Sequence, residues 1–303
     1  MLFLKSILFG LPALVLATDI QRCATKSPGS QLKGLHVAQA KVDSQNRLNG
    51  KEALDNTFPK VSVNTYVHVI ASSQVDDDTP QAQIVDQINV INRAYRRHGF
   101  TFLLRNITRS FGKDWSSIVP DTDSELKIKS ALRQGTYADL NFYIGNIGDG
   151  FGGILGYSTF PDYVSRDIFD LDAVVIDPGT LPNGTISKYD LGATAVHEIG
   201  HWLGLFHTFQ DPLGPIINFG DGCTADGDFV YDTPAESSPA WGCPEGRDTC
   251  TGNSLSREGK DPIHNFMDYS DDSCLNLFSA GQMARAHVLY QQLRLDSNNI
   301  NRN

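Results

Sequence analysis

The sequence predicts an α+β fold, in which an upper subdomain of a mixed β-sheet with helices faces an irregular, disulfide-bearing lower subdomain across a cleft. Segments with strand and helix periodicity alternate up to about residue 203, which is typical of a sheet covered by helices. Residues 204–278 are instead rich in Gly, Pro, Asp and Cys, with little periodicity. Four of the five cysteines lie there, so we expect disulfides to brace this half.

Local patterns predict each element of the upper half. Alternating residues from Val61 to Val69 predict the first strand. Thr79 as N-cap and Pro80 in the first turn predict a helix that ends at Gly99. Its apolar face would comprise Ile84, Ile88, Ile91 and Tyr95. Strands are further predicted at 100–104, 140–144, 154–160 and 173–176, and helices at 123–134 and 191–203.

The last predicted helix begins at Ser279. Gln282 lies three residues later and completes a capping box, and Phe278 and Met283 are spaced for a hydrophobic staple. This helix closes the otherwise irregular half of the chain.

The N-terminus has the pattern of a secretory signal peptide over residues 1–17. Lys5 precedes an apolar run that ends near Ala17. The run is shorter than the roughly 20 residues that span a bilayer, and Pro12 interrupts it. We therefore expect a secreted, extracellular protein without a membrane partner. Residues 18–55 are polar and poorly patterned, and we interpret them as a pro-segment or an extended N-terminal arm.

The charge of the chain argues against nucleic acid as a partner. Its 35 Asp and Glu outnumber 25 Lys and Arg, for a net charge of −10, whereas phosphate binders carry a basic face. Asn106 and Asn183 begin N-glycosylation sequons, so a glycoprotein is expected if the secreting cell modifies them. We expect a monomer.

The chemistry concentrates in the segment from His197 to His207. His197 and His201 are four residues apart and share one face of a helix, so both imidazoles can bind one metal ion. Gly204 can end the helix and return His207 as a third ligand. Three histidines leave a position open for water, which is typical of a catalytic zinc site, and Glu198 is placed to reach that water.

This segment, with Asn265-Phe266-Met267-Asp268-Tyr269-Ser270 after it, resembles the signature of the metzincin zinc peptidases. Within that group the chain is similar to the pappalysin (cytophagalysin) family, particularly the short secreted extracellular metalloproteases of fungi. The similar segments are 155–161, 197–208, 229–234 and 265–270. The resemblance implies a metallopeptidase catalytic domain over 56–303, with an upper subdomain to about 203 and a lower one over 204–303.

The resemblance also implies roles for two residues of the second motif. Met267 would form a hydrophobic floor, the Met-turn, beneath the three imidazoles. Tyr269 would donate to the oxyanion of the reaction, although a buried core tyrosine is the alternative.

The family's interleaved disulfides would join Cys223 with Cys250 and Cys243 with Cys274. Pairing of the neighbours Cys243 and Cys250 is the alternative. Cys23 remains over. Its thiolate could fill the open zinc position of an unprocessed zymogen as a cysteine switch, or it could be a free or intermolecularly paired thiol.

Family members also bind calcium in the lower subdomain. Four carboxylates could supply hard oxygen ligands for calcium, or could belong to solvated turns instead. They are those of Asp221, Asp226, Asp228 and Asp232.

These patterns together predict a secreted endopeptidase with one Zn²⁺ per chain and protein or peptide substrates, in which Glu198 is the general base. Strand 154–160 would form the cleft rim and pair with extended substrate. Residues 271–274 would line the pocket after the scissile bond. Two alternatives are a zinc hydrolase of non-peptide amides and a non-enzymatic secreted zinc-binding effector that retains the fold.

Overall fold

The computed structural model describes residues 20–49, 57–148, 153–162, 166–210, 223, 227–251 and 258–296. The expected signal peptide, residues 1–17, lies outside the described residues. Among the described helices, none has the length and apolar content needed to cross a membrane.

A five-stranded sheet forms the centre of the upper half. Its strands are β1 (Val61–Ala71), β2 (Phe100–Phe111), β3 (Leu140–Ile144), β4 (Gly156–Ser158) and β5 (Val174–Ile176). They lie in the order β2-β1-β3-β5-β4, and only β4 runs antiparallel to its neighbour. All five predicted strands are present. β2 extends beyond the predicted 100–104 because it pairs with β1 along its whole length.

Six α-helices accompany the sheet within the described residues. They are α1 (Ser30–Leu48), α2 (Gln81–Tyr95), α3 (Asp123–Leu132), α4 (Arg166–Leu171), α5 (Ala193–Trp202) and α6 (Ala280–Leu289). A π-helical turn, Tyr290–Leu295, continues α6. The α+β prediction is confirmed. The sequence analysis predicted no helix before residue 55, whereas α1 lies there with only two buried side chains, and the interpretation of residues 18–55 as a pro-segment or N-terminal arm stays a prediction.

The start of α2 also differs from the prediction. Pro80, not Thr79, is the N-cap, and no side chain caps this helix. The N–H groups of Gln83 and Ile84 donate to the Pro80 carbonyl, so the first turn closes one residue later than expected. The predicted apolar face is buried as expected. At α6 the predicted capping box between Ser279 and Gln282 is confirmed.

The core holds α5 firmly against the sheet and α2. The Tyr95 hydroxyl donates to the Val196 carbonyl at 2.7 Å, and the Gln87 amide donates to the Gly192 carbonyl at 3.0 Å. Both bonds run from α2 to α5, because Gly192 is the residue before its first turn. The position of α5 is therefore set by its contacts with α2 and does not depend on a bound ligand.

A buried ion-pair cluster fixes the other end of α5. Arg294 donates to both carboxylate oxygens of Asp172 and to the carbonyl of Trp202, and its guanidinium lies 3.7 Å from the Trp202 ring centroid. The indole N–H of Trp202 donates to the same carboxylate. The C-terminal segment thus ties the last turn of α5 to the segment before β5.

Two disulfides brace the lower half: Cys223–Cys250 and Cys243–Cys274. They are the two pairs that the family resemblance implied. They constrain loops that contain few hydrogen-bonded elements of their own, which is where a cross-link contributes most.

Candidate active site

The C-terminus of α5 has the geometry of a Schellman motif. Gly204 adopts a positive φ of 96°, its N–H donates to the His201 carbonyl, and the Leu205 N–H donates to the Gly200 carbonyl. A residue with a side chain would be strained in this conformation. The turn reverses the chain and brings His207 back beside the helix.

The three histidines converge at this turn. The Nε2 atoms of His197, His201 and His207 lie 3.0–3.3 Å from one another. Such separations suit three nitrogens that bind one tetrahedral Zn²⁺ at about 2.0–2.1 Å. Three buried ring nitrogens at these separations are a donor set that fits zinc.

The opposite ring nitrogens orient the imidazoles. Nδ1 of His197 lies 2.7 Å from the Phe266 carbonyl, and Nδ1 of His201 lies 2.7 Å from the Leu205 carbonyl. Each carbonyl accepts the Nδ1 proton, which leaves Nε2 free to bind a metal. Burial lowers the pKa of all three histidines, that of His201 to about 4, so the rings are neutral at neutral pH.

Glu198 lies beside this cluster, fully buried. Its Oε2 accepts a hydrogen bond from the Thr25 hydroxyl at 2.8 Å, whereas Oε1 is buried without a partner among the described residues. Burial raises the pKa of Glu198 to about 8. A carboxylate with a raised pKa and an uncommitted oxygen is suited to proton transfer near neutral pH.

Met267 is buried and packs against α5. A Cβ atom on Gly200 would lie 2.3 Å from its Sδ, so the glycine at that position permits the close approach. Tyr269 lies beside two of the histidines, with its ring centroid 5.1 Å from that of His207 and 5.6 Å from that of His197. Its hydroxyl donates to the Cys23 carbonyl at 3.4 Å, and burial raises its pKa well above the usual 10.

The cleft in front of the histidines is filled by the N-terminal segment. Gln21 donates to the Gly153 carbonyl and accepts from the Leu155 N–H, and the Ala24 N–H donates to the Gly156 carbonyl. The segment therefore runs parallel along β4, the edge strand of the sheet. The predicted cleft rim at 154–160 is occupied by the chain's own backbone.

Cys23 is buried and lies at the histidine cluster. Its Sγ and the ligand nitrogens of the three histidines all lie within 4.8 Å of one another. The Thr25 N–H donates to the same sulfur at 3.3 Å. Burial, and then the nearby Glu198, raises the pKa of the Cys23 thiol. The sulfur and the three imidazoles together have the donor set of a Cys-His₃ zinc site, which the sulfur would join as a thiolate.

Arg22 is a buried residue of the site to which the sequence analysis assigned no role. It donates to Asp272 Oδ1 and to the Ser270 carbonyl, both at 2.8 Å, and its guanidinium lies 5.3 Å from the Tyr189 ring centroid. Oδ2 of Asp272 accepts the N–H groups of Leu191 and Ala193 at the start of α5. Thr25 was missed as well, and its only sequence signal was its place beside Cys23.

Other predicted residues lie apart from this cluster. Asn106 and Asn183 are exposed, on β2 and on the loop before α5. Asp232 accepts from Ser279 and from the Gly281 N–H at the start of α6, so its carboxylate supports that helix. Asp228, also named for calcium, likewise bonds to Val230 and Gln282. Asp221 and Asp226 lie outside the described residues, and calcium stays a prediction.

One cavity of the described residues is lined by none of the three histidines. It has a volume of about 920 Å³, and its lining includes Asp76, Asp86 and Asp177 near the C-terminal ends of β1 and β3.

Comparison with known families agrees with this geometry. The Peptidase M43 family model, described as pregnancy-associated plasma protein-A, matches residues 128–290, which is more than half of the chain. The chain is a pappalysin metallopeptidase. Its membership of this family makes peptides and proteins its substrates.

Curated relatives of this pappalysin include fungal enzymes. An extracellular metalloprotease of Pyricularia oryzae is 40% identical over 296 residues, which cover 96% of this chain and 97% of the relative. An extracellular metalloprotease of Sordaria macrospora is 42% identical over 286 residues, covering 91% and 90%.

Two solved structures are also similar. Mature mirolysin of Tannerella forsythia in complex with a cleaved peptide is 26% identical with a TM-score of 0.63, covering 80% of this chain and 98% of that one. A promirolysin mutant of the same organism is 25% identical with a TM-score of 0.62, covering 91% and 98%. The pro form thus matches more of this chain than the mature form does.

Proposed function

We propose that this pappalysin is a secreted zymogen that, once its pro-segment is removed, acts as a zinc-dependent endopeptidase on extracellular proteins. The observation that carries the proposal is the convergence of three neutral imidazoles beside one buried carboxylate. The signal-peptide pattern of residues 1–17 and the extracellular relatives support secretion.

His197, His201 and His207 would hold the zinc ion. When bound, zinc acidifies a water molecule and polarises the scissile carbonyl. Glu198 takes the proton of the attacking water with its free oxygen and delivers it to the leaving amine. The Tyr269 phenol, neutral because of its raised pKa, donates to the developing oxyanion.

Substrate would bind along the free edge of β4. Removal of the N-terminal segment frees the Gly153 and Gly156 carbonyls and the Leu155 N–H, which now bond to that segment. An extended peptide can pair with the same groups, so backbone hydrogen bonds supply affinity independently of side-chain identity.

Cys23 would impose latency. Its sulfur lies with the three histidines, where as a thiolate it would complete the ligand set of the zinc, and it stands in front of Glu198, 3.5 Å from Oε2. Water is thereby kept out of the position in which it would be activated. The greater coverage of this chain by promirolysin than by mature mirolysin supports removal of a segment of similar length.

The pocket that holds Arg22 would select a basic side chain just after the scissile bond. Asp272 lies at the base of this pocket, within the segment expected to line it, and its carboxylate is fully buried. A buried carboxylate discriminates strongly in favour of a guanidinium, because a neutral side chain leaves the charge unpaired. We further propose that the enzyme acts as a monomer and that Asn106 and Asn183 carry glycans.

A peptide-library digest by the purified, processed enzyme tests the proposal. Mass spectrometry should find cuts before Arg or Lys, and a zinc chelator should abolish them. Chelator-resistant hydrolysis, or no hydrolysis of any peptide by zinc-loaded enzyme, would show the proposal to be wrong.

A further inference from the structure

Helix α1 lies in a groove on the lower half of the molecule. Leu32 is buried there in one cluster with Phe206, Phe229, Leu289 and Leu293. We call these four residues, together with Arg285, the α1 groove. Phe206 directly precedes the third histidine of the site, so the groove adjoins the active site without forming part of it.

His36 is the polar centre of this contact. Its ring stacks on Phe206 with centroids 4.0 Å apart, and it is fully buried. Nδ1 lies 2.7 Å from Arg285 Nη1, and Nε2 lies 2.9 Å from the Gly204 carbonyl. Arginine can only donate, so Nδ1 accepts and Nε2–H donates. One tautomer of His36 therefore satisfies both bonds, one to Arg285 of the groove and one to the adjacent Gly204 carbonyl.

Arg285 depends on α1 for its hydrogen bonds. This guanidinium is buried and donates to His36, to Asp43 at 3.1 Å and to the Phe229 carbonyl at 3.0 Å. Two of these three acceptors belong to α1. Without the helix a buried positive charge would lose most of its partners beside exposed apolar rings, which is unfavourable. The groove is therefore built to hold a helix.

We propose that the α1 groove binds helix α1 as a separate chain, so that the pro-segment stays bound to the enzyme after the connection to β1 has been cut and holds it latent. The inference rests on the proposed latency and extends it. The partner is the excised segment itself, a helix that presents an apolar side chain, an imidazole four residues later and a carboxylate towards Arg285.

The short connection between Cys23 and α1 couples the binding of the helix to the position of the thiol. Cys23 and the start of α1 are only a few residues apart, so a docked helix holds the thiol at a high effective concentration beside the histidines. Without α1, residues 20–25 would lose conformational entropy each time they bound, and no second contact would hold them near the histidines. Latency of the cut enzyme then ends when α1 leaves the groove, later than the cut itself.

A cut full-length chain tests the proposal. A recognition sequence for a specific protease replaces residues 50–56, and the fragment carries a fluorophore at its N-terminus. After cutting, dissociation is followed by fluorescence polarisation in excess unlabelled fragment, with a zinc chelator present. The wild-type fragment should remain bound, and His36→Ala and Leu32→Ala should each release it roughly tenfold faster or more.

Val42→Ala is the matched control, because Val42 lies on the exposed face of the same helix. It should change the release rate by less than about twofold. Equal release rates for wild type, Leu32→Ala and His36→Ala would overturn the proposal. The release measurement needs neither zinc nor peptidase activity. A protein that releases the two variant fragments faster than the wild-type fragment but cleaves no peptide would contradict the proposed function and not this proposal.

Discussion

The sulfur atom of Cys23 lies 3.5 Å from Oε2 of Glu198, although 175 positions separate the two residues in the chain. The same sulfur stands with the three histidines within one ligand-sized cluster. One side chain thus contacts both the proposed metal ligands and the proposed general base. Its removal tests latency, and removal of the carboxylate tests catalysis.

Replacing Cys23 with Ala should partly activate the uncut chain. The loss of one ligand opens a path for water, and peptide hydrolysis by the uncut variant should rise at least roughly tenfold over the uncut wild type. It should stay below the rate of the processed enzyme, because Arg22 and α1 remain bound. A fluorogenic peptide assay measures both rates.

The processed forms supply the control for this variant. Once the pro-segment has been removed, Cys23→Ala and wild type are the same chain and must have the same kcat/KM. An uncut variant as inactive as the uncut wild type would exclude the cysteine switch.

Glu198→Gln should remove catalysis and leave the metal in place. The amide cannot accept a proton, so kcat should fall by about 10²–10⁴. The three histidines are unchanged, and elemental analysis should still find one zinc per chain. Glu245→Gln is the control, because that side chain is exposed and should leave kcat unaffected. Full activity of Glu198→Gln would refute its role as base.

Asp272→Asn should alter specificity more than turnover. The amide keeps an oxygen for the N–H groups at the start of α5 and loses the charge that pairs with arginine. For peptides with Arg after the scissile bond, kcat/KM should fall about a hundredfold, mainly through KM. Peptides with a neutral residue there should be affected far less.

The neighbouring carboxylate provides the comparison for this specificity test. Asp271 pairs with the exposed Lys188 at 3.4 Å and does not bond to Arg22. Asp271→Asn should retain the preference for arginine. Equal losses for Arg and neutral peptides in Asp272→Asn would indicate a purely structural role.

Asp172→Ala should destabilise the fold. The buried carboxylate accepts from Arg294, Arg133 and Trp202, and its removal leaves buried guanidinium groups unpaired. Breaking such a pair costs about 3–5 kcal/mol in the free energy of unfolding. Urea denaturation measures the loss. Lys26→Ala, which breaks an exposed pair with Asp121, should leave the midpoint unchanged.

Local patterns in the sequence predicted the sheet and the convergence of the three histidines but not the contents of the cleft. The period of two in β1 and the four-residue spacing of His197 and His201 each report on neighbours within one element. Arg22, by contrast, bonds to a carbonyl 248 residues away, and no short-range pattern records such a contact. The role of Thr25 depends equally on a partner 173 residues distant.

Helix α1 was missed for a related reason. Its buried positions are Leu32 and His36, so one of the two is polar and the helix lacks an apolar stripe. Its stability depends on Arg285 and Phe206, which belong to the far end of the chain. Periodicity therefore predicted a polar arm where tertiary contacts stabilise a helix.

Binding of α1 should weaken in acid because of His36. Burial, and then the nearby Arg285, lowers the pKa of His36 well below 6.5, while the released fragment keeps an ordinary imidazole near 6.5. As the pH falls below about 6.5 the released fragment takes up the proton and the bound one does not, so release becomes more favourable, by up to tenfold per pH unit. Above that pH the contact is at full strength.

The dissociation constant of the fragment, measured by fluorescence polarisation over a pH series, tests this dependence, in a Cys23→Ala background that removes the thiol from the titration. Asp43 and Asp228 also face Arg285, so a variant must isolate the imidazole. His36→Asn binds more weakly at every pH, but its dissociation constant should lack the rise below about 6.5. If both chains show the same rise, the carboxylates rather than His36 cause it, because only the imidazole differs between them.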